Sequence, residues 1–304
     1  MKCLILGVGG QDGSYLADIL LEEGHEVHGL YRRSSVDNLS RIDHIKDDLT
    51  LHIGDITDSH CISRIIQSGG YDEVYNEADQ DDVRASYAAP GSQISVTTQG
   101  AINVLEAALN ATPRPKVFQP LSATMLKPGY NQTLSDLLPE SPYAISKLAT
   151  YYFCHYYRSL GVPVYTGVMY NHDSPRRGPS YLLQSLCRRA KAGQGTSENP
   201  IKVYHPDHMV DIGFSRDYMI AARLIMGTPT PKDYIIRSYN QQSIYKVLEV
   251  IGDTLGRTLV VRVTQAPTPP PVMLSQSIEL GLVTGYVPNT SLTDLVSMIL
   301  GSLS

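Results

Sequence analysis

Tyr143 and Lys147 stand four residues apart within Ser141-Pro142-Tyr143-Ala144-Ile145-Ser146-Lys147-Leu148. That spacing puts both side chains on one face of a helix. An ammonium beside a phenol favours the phenolate and draws its pKa down from about 10. A tyrosine tuned in this way takes or returns a proton at neutral pH. The same spacing also arises by chance in a chain with 20 tyrosines, so the weight of the pair depends on its surroundings. Ser122 and Thr124 add two hydroxyls just after an apolar run, Val117-Phe118. If that run is a strand of a parallel sheet, they lie at the end where ligands bind. There one or both can hydrogen-bond a substrate hydroxyl or carbonyl oxygen opposite the tyrosine.

The elements that must position these groups are legible from the N-terminus onward. Lys2 to Leu6 is a short apolar run, read as a buried strand. It enters Gly7-Val8-Gly9-Gly10-Gln11-Asp12-Gly13, and helical periodicity follows from Ser14 to Leu20. Glycines at 7, 10 and 13 suit a tight turn, close backbone approach to a pyrophosphate and close helix–strand packing, with the helix N-terminus offering N–H groups to phosphates. Val27 to Leu30 reads as the second strand and ends in Tyr31-Arg32-Arg33-Ser34-Ser35. Two guanidiniums and the Ser34 and Ser35 hydroxyls suit a 2′-phosphate where an acid would suit a ribose diol. This favours NADP over NAD; the alternative is a solvated basic turn.

Leu51 to Asp55 reads as a third strand, with Asp55 and Ile56 placed to meet an adenine. An amphipathic helix around Ile62 to Ile66 and a fourth strand beginning Glu73-Val74-Tyr75 come next. The following loop, Asn76-Glu77-Ala78-Asp79-Gln80-Asp81-Asp82, is acidic. Carboxylates aimed at phosphates cost affinity, so these are expected to turn outward. A helix marked by Ile102, Leu105, Ala108 and Leu109, the fifth strand at Val117-Phe118 and a sixth from Val162 to Met169 complete the alternation. The fold class expected is α/β, a doubly wound parallel sheet. Residues 1–170 are expected to form the dinucleotide domain. Residues 171–304 should be mainly a smaller substrate-binding lobe, with segments returning to the main sheet. Within that part a helix is expected around Tyr181 to Arg189, and an extended stretch from Ala266 to Val272.

The formal net charge of −5 gives no electrostatic case for a nucleic acid or an anionic membrane as partner. Cys3, Cys61, Cys154 and Cys187 are scattered without C-x-x-C spacing, which implies no metal site and suits a reducing compartment. No signal-peptide layout and no membrane-length apolar run is present, so a cytoplasmic location is expected.

With these residues in view, the chain resembles extended short-chain dehydrogenases/reductases of the NAD-dependent epimerase/dehydratase group, and most narrowly the GDP-mannose 4,6-dehydratase family. The resemblance rests on Gly7-x-x-Gly10-Gln11-Asp12-Gly13-Ser14-Tyr15-Leu16, Arg32-Arg33-Ser34-Ser35, and Ser141-Pro142-Tyr143-Ala144 with Lys147. Asn171-His172-Asp173-Ser174-Pro175-Arg176-Arg177-Gly178 and Gly213-Phe214-Ser215-Arg216-Asp217-Tyr218 complete it. It implies a Rossmann-type domain in which Gly7, Gly10, Gln11, Asp12, Gly13, Arg32, Arg33, Ser34, Asp55 and Ile56 line an NADP site. Tyr143 and Lys147 would bind the nicotinamide ribose and run proton transfer, and His172 and Arg177 would reach the cofactor. Ser122 and Asn171 would face a nucleotide-sugar substrate, GDP-linked if the family holds. A homodimer or homotetramer is also implied.

Departures from the family pattern are specific. Its Thr-x-Glu aligns with Ser122-Ala123-Thr124, and a threonine cannot serve as the base that removes the C5 proton. UDP-galactose 4-epimerases carry the same Ser-Ala-Thr string. The family's apolar-and-small loop is replaced by Glu77, Asp79, Asp81 and Asp82, and the arginine expected before Asp211 is Val210. Positions that meet the nucleotide fall at Pro269-Pro270-Pro271. Oxidation at C4 through Tyr143 and Lys147 therefore leads either to dehydration with another base, with Asp79, Asp81 and Asp82 nearest in sequence, or to C4 epimerisation or reduction. The remaining alternatives are the same fold acting on a nucleoside or secondary metabolite, and an NADP-binding protein without catalysis.

Overall fold

Short runs of Val, Ile, Leu and Tyr separated by helix-length segments give a sheet whose inner strands are buried on both faces. In the computed structural model, which describes residues 1–126, 140–264 and 284–303, seven such strands pair in the order β10-β6-β5-β4-β1-β2-β3, all parallel. They are β1 (Lys2–Leu6), β2 (Glu26–Tyr31), β3 (Thr50–Ile53), β4 (Glu73–Asn76), β5 (Lys116–Ser122), β6 (Val164–Met169) and β10 (Asp233–Ile236). Strand order reverses between β1 and β4, so the C-terminal ends of these two strands flank the crevice where such sheets bind ligands.

The covering helices are α1 (Gln11–Glu22), α2 (Ser59–Gly69), α5 (Gly100–Leu109) and α6 (Pro142–Ser159), with short α3 (Val83–Ala88) and α4 (Pro90–Gln93) between. Leu4, Leu6, Ile62, Val104, Leu105, Val117 and Val164 meet in one buried cluster between sheet and helices. Local chemistry sets the ends: Asp58 caps α2 by accepting from the Cys61 N–H, and Gly70 closes it with φ 62°. Ser141 caps α6, with Pro142 at its first position.

The chain divides into two compact units. One comprises residues 1–169, 219–236 and 284–286; the other comprises 170–218, 237–264 and 287–303. In the second, β7 (Asn171–Asp173), β9 (Met209–Phe214) and β11 (Gln241–Ser243) form one sheet, and β8 (Ile201–Val203) pairs with β12 (Val261–Val263). Helices α7 (Leu182–Lys191), α9 (Ile244–Thr254) and Leu292–Ser302 pack there around Leu186, Ile212, Leu248 and Val296. Helix α8 (Ser215–Met226) precedes the returning strand β10. Pro267 to Pro271 lies outside the described residues.

Several boundaries differ from expectation. Strand β5 runs on to Ser122, so that serine is a strand residue, while Thr124 sits in a 3₁₀ turn, Ala123–Met125. Strand β3 stops at Ile53, which leaves Asp55 in the following turn. Cys3, Cys154 and Cys187 are buried free thiols, and Cys61 is half-buried. Among the described residues no helix is long and apolar enough to cross a membrane, and no group of acidic, His or Cys side chains could hold a metal ion.

Candidate active site

The turn after β1 is built to let something approach its backbone. Gly7 has φ 86°, and a Cβ there would lie 2.9 Å from the backbone of Ala78. A Cβ on Gly13 would lie 2.3 Å from the Gly7 carbonyl oxygen, so helix and turn pack closer than any side chain allows. Gly10 caps α1 without a side-chain hydrogen bond, so the N-terminal end of the helix follows directly on the glycine turn. Gln11 is buried and donates to Asp12 Oδ1 at 3.1 Å. These glycines fit a dinucleotide pyrophosphate.

Arg32, Arg33 and Ser34 are exposed just past β2. Asn38 donates to the Arg32 carbonyl at 2.7 Å, and Arg41 Nη1 donates to the Gly9 carbonyl at 3.1 Å. Arg41 therefore brings a further cation to the glycine turn, one that the sequence reading missed; the buried Ile42 beside it is the signal that this loop folds inward. Burial works to raise the Asp55 carboxyl, but hydrogen bonds from the Thr57 N–H and hydroxyl and the charge of Arg32 hold it below its ordinary value. The neighbouring Ile56 is buried, and its carbonyl accepts from Asn103 at 2.9 Å.

Tyr143 and Lys147 lie on one face of α6, both buried, with the Lys147 Nζ 5.8 Å from the centre of the Tyr143 ring. Ser122 lies near the phenol, and its Oγ is 2.9 Å from the Thr124 hydroxyl. The structure thus brings Tyr143, Lys147, Ser122 and Thr124 into one cluster at the C-terminal end of β5. Burial pushes the Tyr143 phenol up to about 12; Lys147 and Ser122 pull it down, whereas Asp79 and Asp81 push it further up.

The acidic loop does not turn outward as expected. Glu77, Asp79, Asp81 and Asp82 are all half-buried. Asp79 Oδ2 lies 2.7 Å from Lys147 Nζ, and the other oxygen accepts from the Thr97 hydroxyl. Lys147 also donates to the Pro120 carbonyl at 3.0 Å. Burial disfavours the charged lysine, but Asp79, Tyr143 and Glu77 outweigh it, and the ammonium is held charged. Asp82 is spent on capping α3, accepting from the N–H groups of Arg84 and Ala85. Glu77 has a buried Oε1 with no hydrogen-bond partner. Burial, with Asp12 and Asp79 nearby, pushes its carboxyl up to about 8 against the pull of Lys147, so it carries a proton at neutral pH. The expectation failed because it weighed these carboxylates only against phosphates; a buried ammonium demands a counter-charge, and Asp79 provides it.

Asn171, His172 and Arg177 belong to the second unit. His172 Nδ1 is 2.9 Å from the Tyr170 carbonyl oxygen, and its ring packs on Tyr218 with centres 4.8 Å apart. The Tyr218 hydroxyl donates to the Asn171 carbonyl at 3.3 Å. Arg177 stacks 3.6 Å above the centre of the Tyr181 ring, and its charge draws down the buried Asp173 carboxyl, which burial pushes up to about 6.

A family model described as GDP-mannose 4,6 dehydratase matches residues 4–272. The chain belongs to that family. It is 35% identical over 272 residues to the GDP-mannose 4,6-dehydratase of Vibrio cholerae, covering 85% of this chain and 73% of the relative. The Homo sapiens GDP-mannose 4,6 dehydratase is 32% identical over 84% of this chain and 73% of its own length. Among solved structures, the dTDP-glucose 4,6-dehydratase of Bacillus anthracis in complex with NAD superposes with a TM-score of 0.85 at 17% identity, covering 99% of this chain and 96% of that one. A UDP-glucuronic acid 4-epimerase from Bacillus cereus, also with NAD, matches with a TM-score of 0.84 at 19% identity over 99% of this chain and 98% of that one. These two show the fold, a Rossmann-type sheet shared by epimerases and dehydratases.

Proposed function

We propose that this protein is an NADP-dependent nucleotide-sugar enzyme that oxidises its sugar at C4 through Tyr143. The observation that carries the reading is the buried Tyr143 phenol with Lys147 Nζ 5.8 Å from its ring centre and Ser122 nearby, at the end of the sheet where such folds bind ligands. Gly7, Gly10, Gln11, Asp12 and Gly13 would hold the pyrophosphate, Arg32, Arg33 and Ser34 the 2′-phosphate, and Asp55 and Ile56 the adenine end. Tyr143 and Lys147 would take the nicotinamide ribose, joined by His172 and Arg177. NADP supplies the hydride acceptor. Tyr143 Oη takes the proton of the sugar C4 hydroxyl, Ser122 orients that hydroxyl, and Asn171 belongs to the substrate side. The substrate is a nucleotide sugar, GDP-linked by family membership. Family resemblance and four free cysteines support a cytoplasmic homodimer or homotetramer.

Oxidation makes a 4-ketone and acidifies the C5 proton, so dehydration needs a base there. Thr124 bonds to Ser122 and its hydroxyl is far too weak a base. Asp79 and Asp82 are engaged elsewhere. That observation favours a second reading, C4 epimerisation, which needs the hydride relay and hydroxyl positioning alone. Incubation with NADP and a panel of GDP-, UDP- and dTDP-sugars, followed by mass spectrometry, separates the outcomes. A product lighter by one water supports dehydration and an isomer supports epimerisation; firm NADP binding with no product from any sugar refutes catalysis.

A further inference from the structure

Lys147 is usually useful to a neighbouring phenol because its charge is uncompensated. Here it is compensated. Asp79 Oδ2 is 2.7 Å from Lys147 Nζ, the lysine side chain is 4% exposed and that of Asp79 14%. The Thr97 hydroxyl, itself accepting from Gln93 at 2.7 Å, donates to the second Asp79 oxygen and fixes the carboxylate in place. With Pro120 accepting another hydrogen at 3.0 Å, the ammonium is pinned by the protein on two sides.

We propose that Asp79 is a positioning residue that holds Lys147 and offsets its charge at Tyr143, so that the phenol of the ligand-free protein keeps its proton at neutral pH. The groups that face the phenol divide in sign. Lys147 on α6 and Ser122 on β5 favour release of its proton; Asp79 and Asp81 on the loop after β4 oppose it, together with burial. Glu77, facing Lys147 and Asp12, is protonated at neutral pH and adds no charge there. The inference deepens the C4-oxidation reading, but its test uses neither substrate nor cofactor.

The ultraviolet signal of phenolate is followed against pH in the whole protein, with Tyr143→Phe subtracted in each background to isolate this tyrosine from the others. Wild-type protein shows no Tyr143 phenolate below about pH 10, the ordinary tyrosine value. Asp79→Asn and Asp79→Ala show it there, with a midpoint at least about one unit lower, a tenfold change in proton affinity. Asp79→Glu, which keeps the charge, returns the wild-type behaviour. Replacing both partners, Asp79→Asn with Lys147→Gln, also stays close to wild type and covers the case in which an unpaired buried lysine prevents folding. Absence of a Tyr143 signal below about pH 10 in folded Asp79→Asn and Asp79→Ala overturns the proposal, as does a midpoint in the double variant as low as that of Asp79→Asn. Loss of catalysis on every sugar leaves the titration result standing.

Discussion

At the scale of single residues, the glycine turn and the basic residues after β2 would, in the proposed reading, divide cofactor recognition between shape and charge. The glycines admit any dinucleotide pyrophosphate; Arg32 and Arg33 add charge where a 2′-phosphate would sit. A charge-assisted hydrogen bond contributes about 1.5–3 kcal/mol. Arg32→Ala together with Arg33→Ala should therefore weaken NADP by about 10- to 100-fold while leaving NAD nearly unchanged. Titration calorimetry with both cofactors checks this, and equal losses would count against the 2′-phosphate assignment. Thr124 is the complementary case. Its hydroxyl lies 2.9 Å from Ser122 Oγ, at the position that the sequence resemblance would pair with a glutamate. Thr124→Glu should introduce or increase a product lighter by one water, read by mass spectrometry on the same sugar. A wild-type product pattern would mean that the C5 base stands elsewhere.

At the scale of elements, helix α6 carries Tyr143 and Lys147, and its start was legible because each signal has a local cause. Ser141 accepts from the Ala144 N–H at 3.1 Å, Pro142 has no N–H to waste, and Tyr143 and Lys147 follow on one face. Ser141→Ala should cost about 1 kcal/mol, visible as a melting temperature a few degrees lower; an unchanged melting temperature would mean the cap carries no weight. The glycine turn was legible for the same reason, since Gly7 and Gly13 sit where no Cβ fits. The loop after β4 was not. Its sequence is acidic and reads as solvated, yet its conformation answers to Lys147, which lies 68 positions further along the chain than Asp79. Long-range charge compensation of this kind leaves no local pattern to read. Strand ends were likewise blurred, because Pro120 inside β5 reads as a stop although the strand runs on to Ser122.

At the scale of the whole molecule, the alternation of strands and helices dictated a parallel sheet, and its seventh strand comes from the later part of the chain, from which segments were expected to return to that sheet. Asp233 anchors this returning strand. Its carboxylate accepts from Arg158 Nη2 and from the Thr166 hydroxyl, both at 2.8 Å, and lies 2.9 Å from His155 Nε2. Burial alone would raise this carboxyl; the Arg158 and Thr166 hydrogen bonds and the charges of Arg158 and His155 hold it below its ordinary value. A carboxyl depressed in the folded state stabilises above its unfolded pKa, near ~4, and loses that contribution as pH falls through the folded value. Asp233→Asn should therefore lower stability by about 1–3 kcal/mol at neutral pH, with the gap to wild type closing in acid. Denaturant melts at several pH values check the sign; a gap that persists in strong acid would assign the effect to packing instead. The same β10 edge was hidden in the sequence because Asp233-Tyr234-Ile235-Ile236 is short and follows Pro229 and Pro231.

The claim that joins these scales is that Tyr143 moves the proton when the sugar is oxidised at C4. Its most direct measurement is the turnover of a responsive nucleotide sugar by wild type and Tyr143→Phe, with NADP affinity determined for both. The account predicts that the variant binds NADP nearly as well and forms no product, because the ring remains and the proton carrier is gone. Normal turnover by Tyr143→Phe would contradict it.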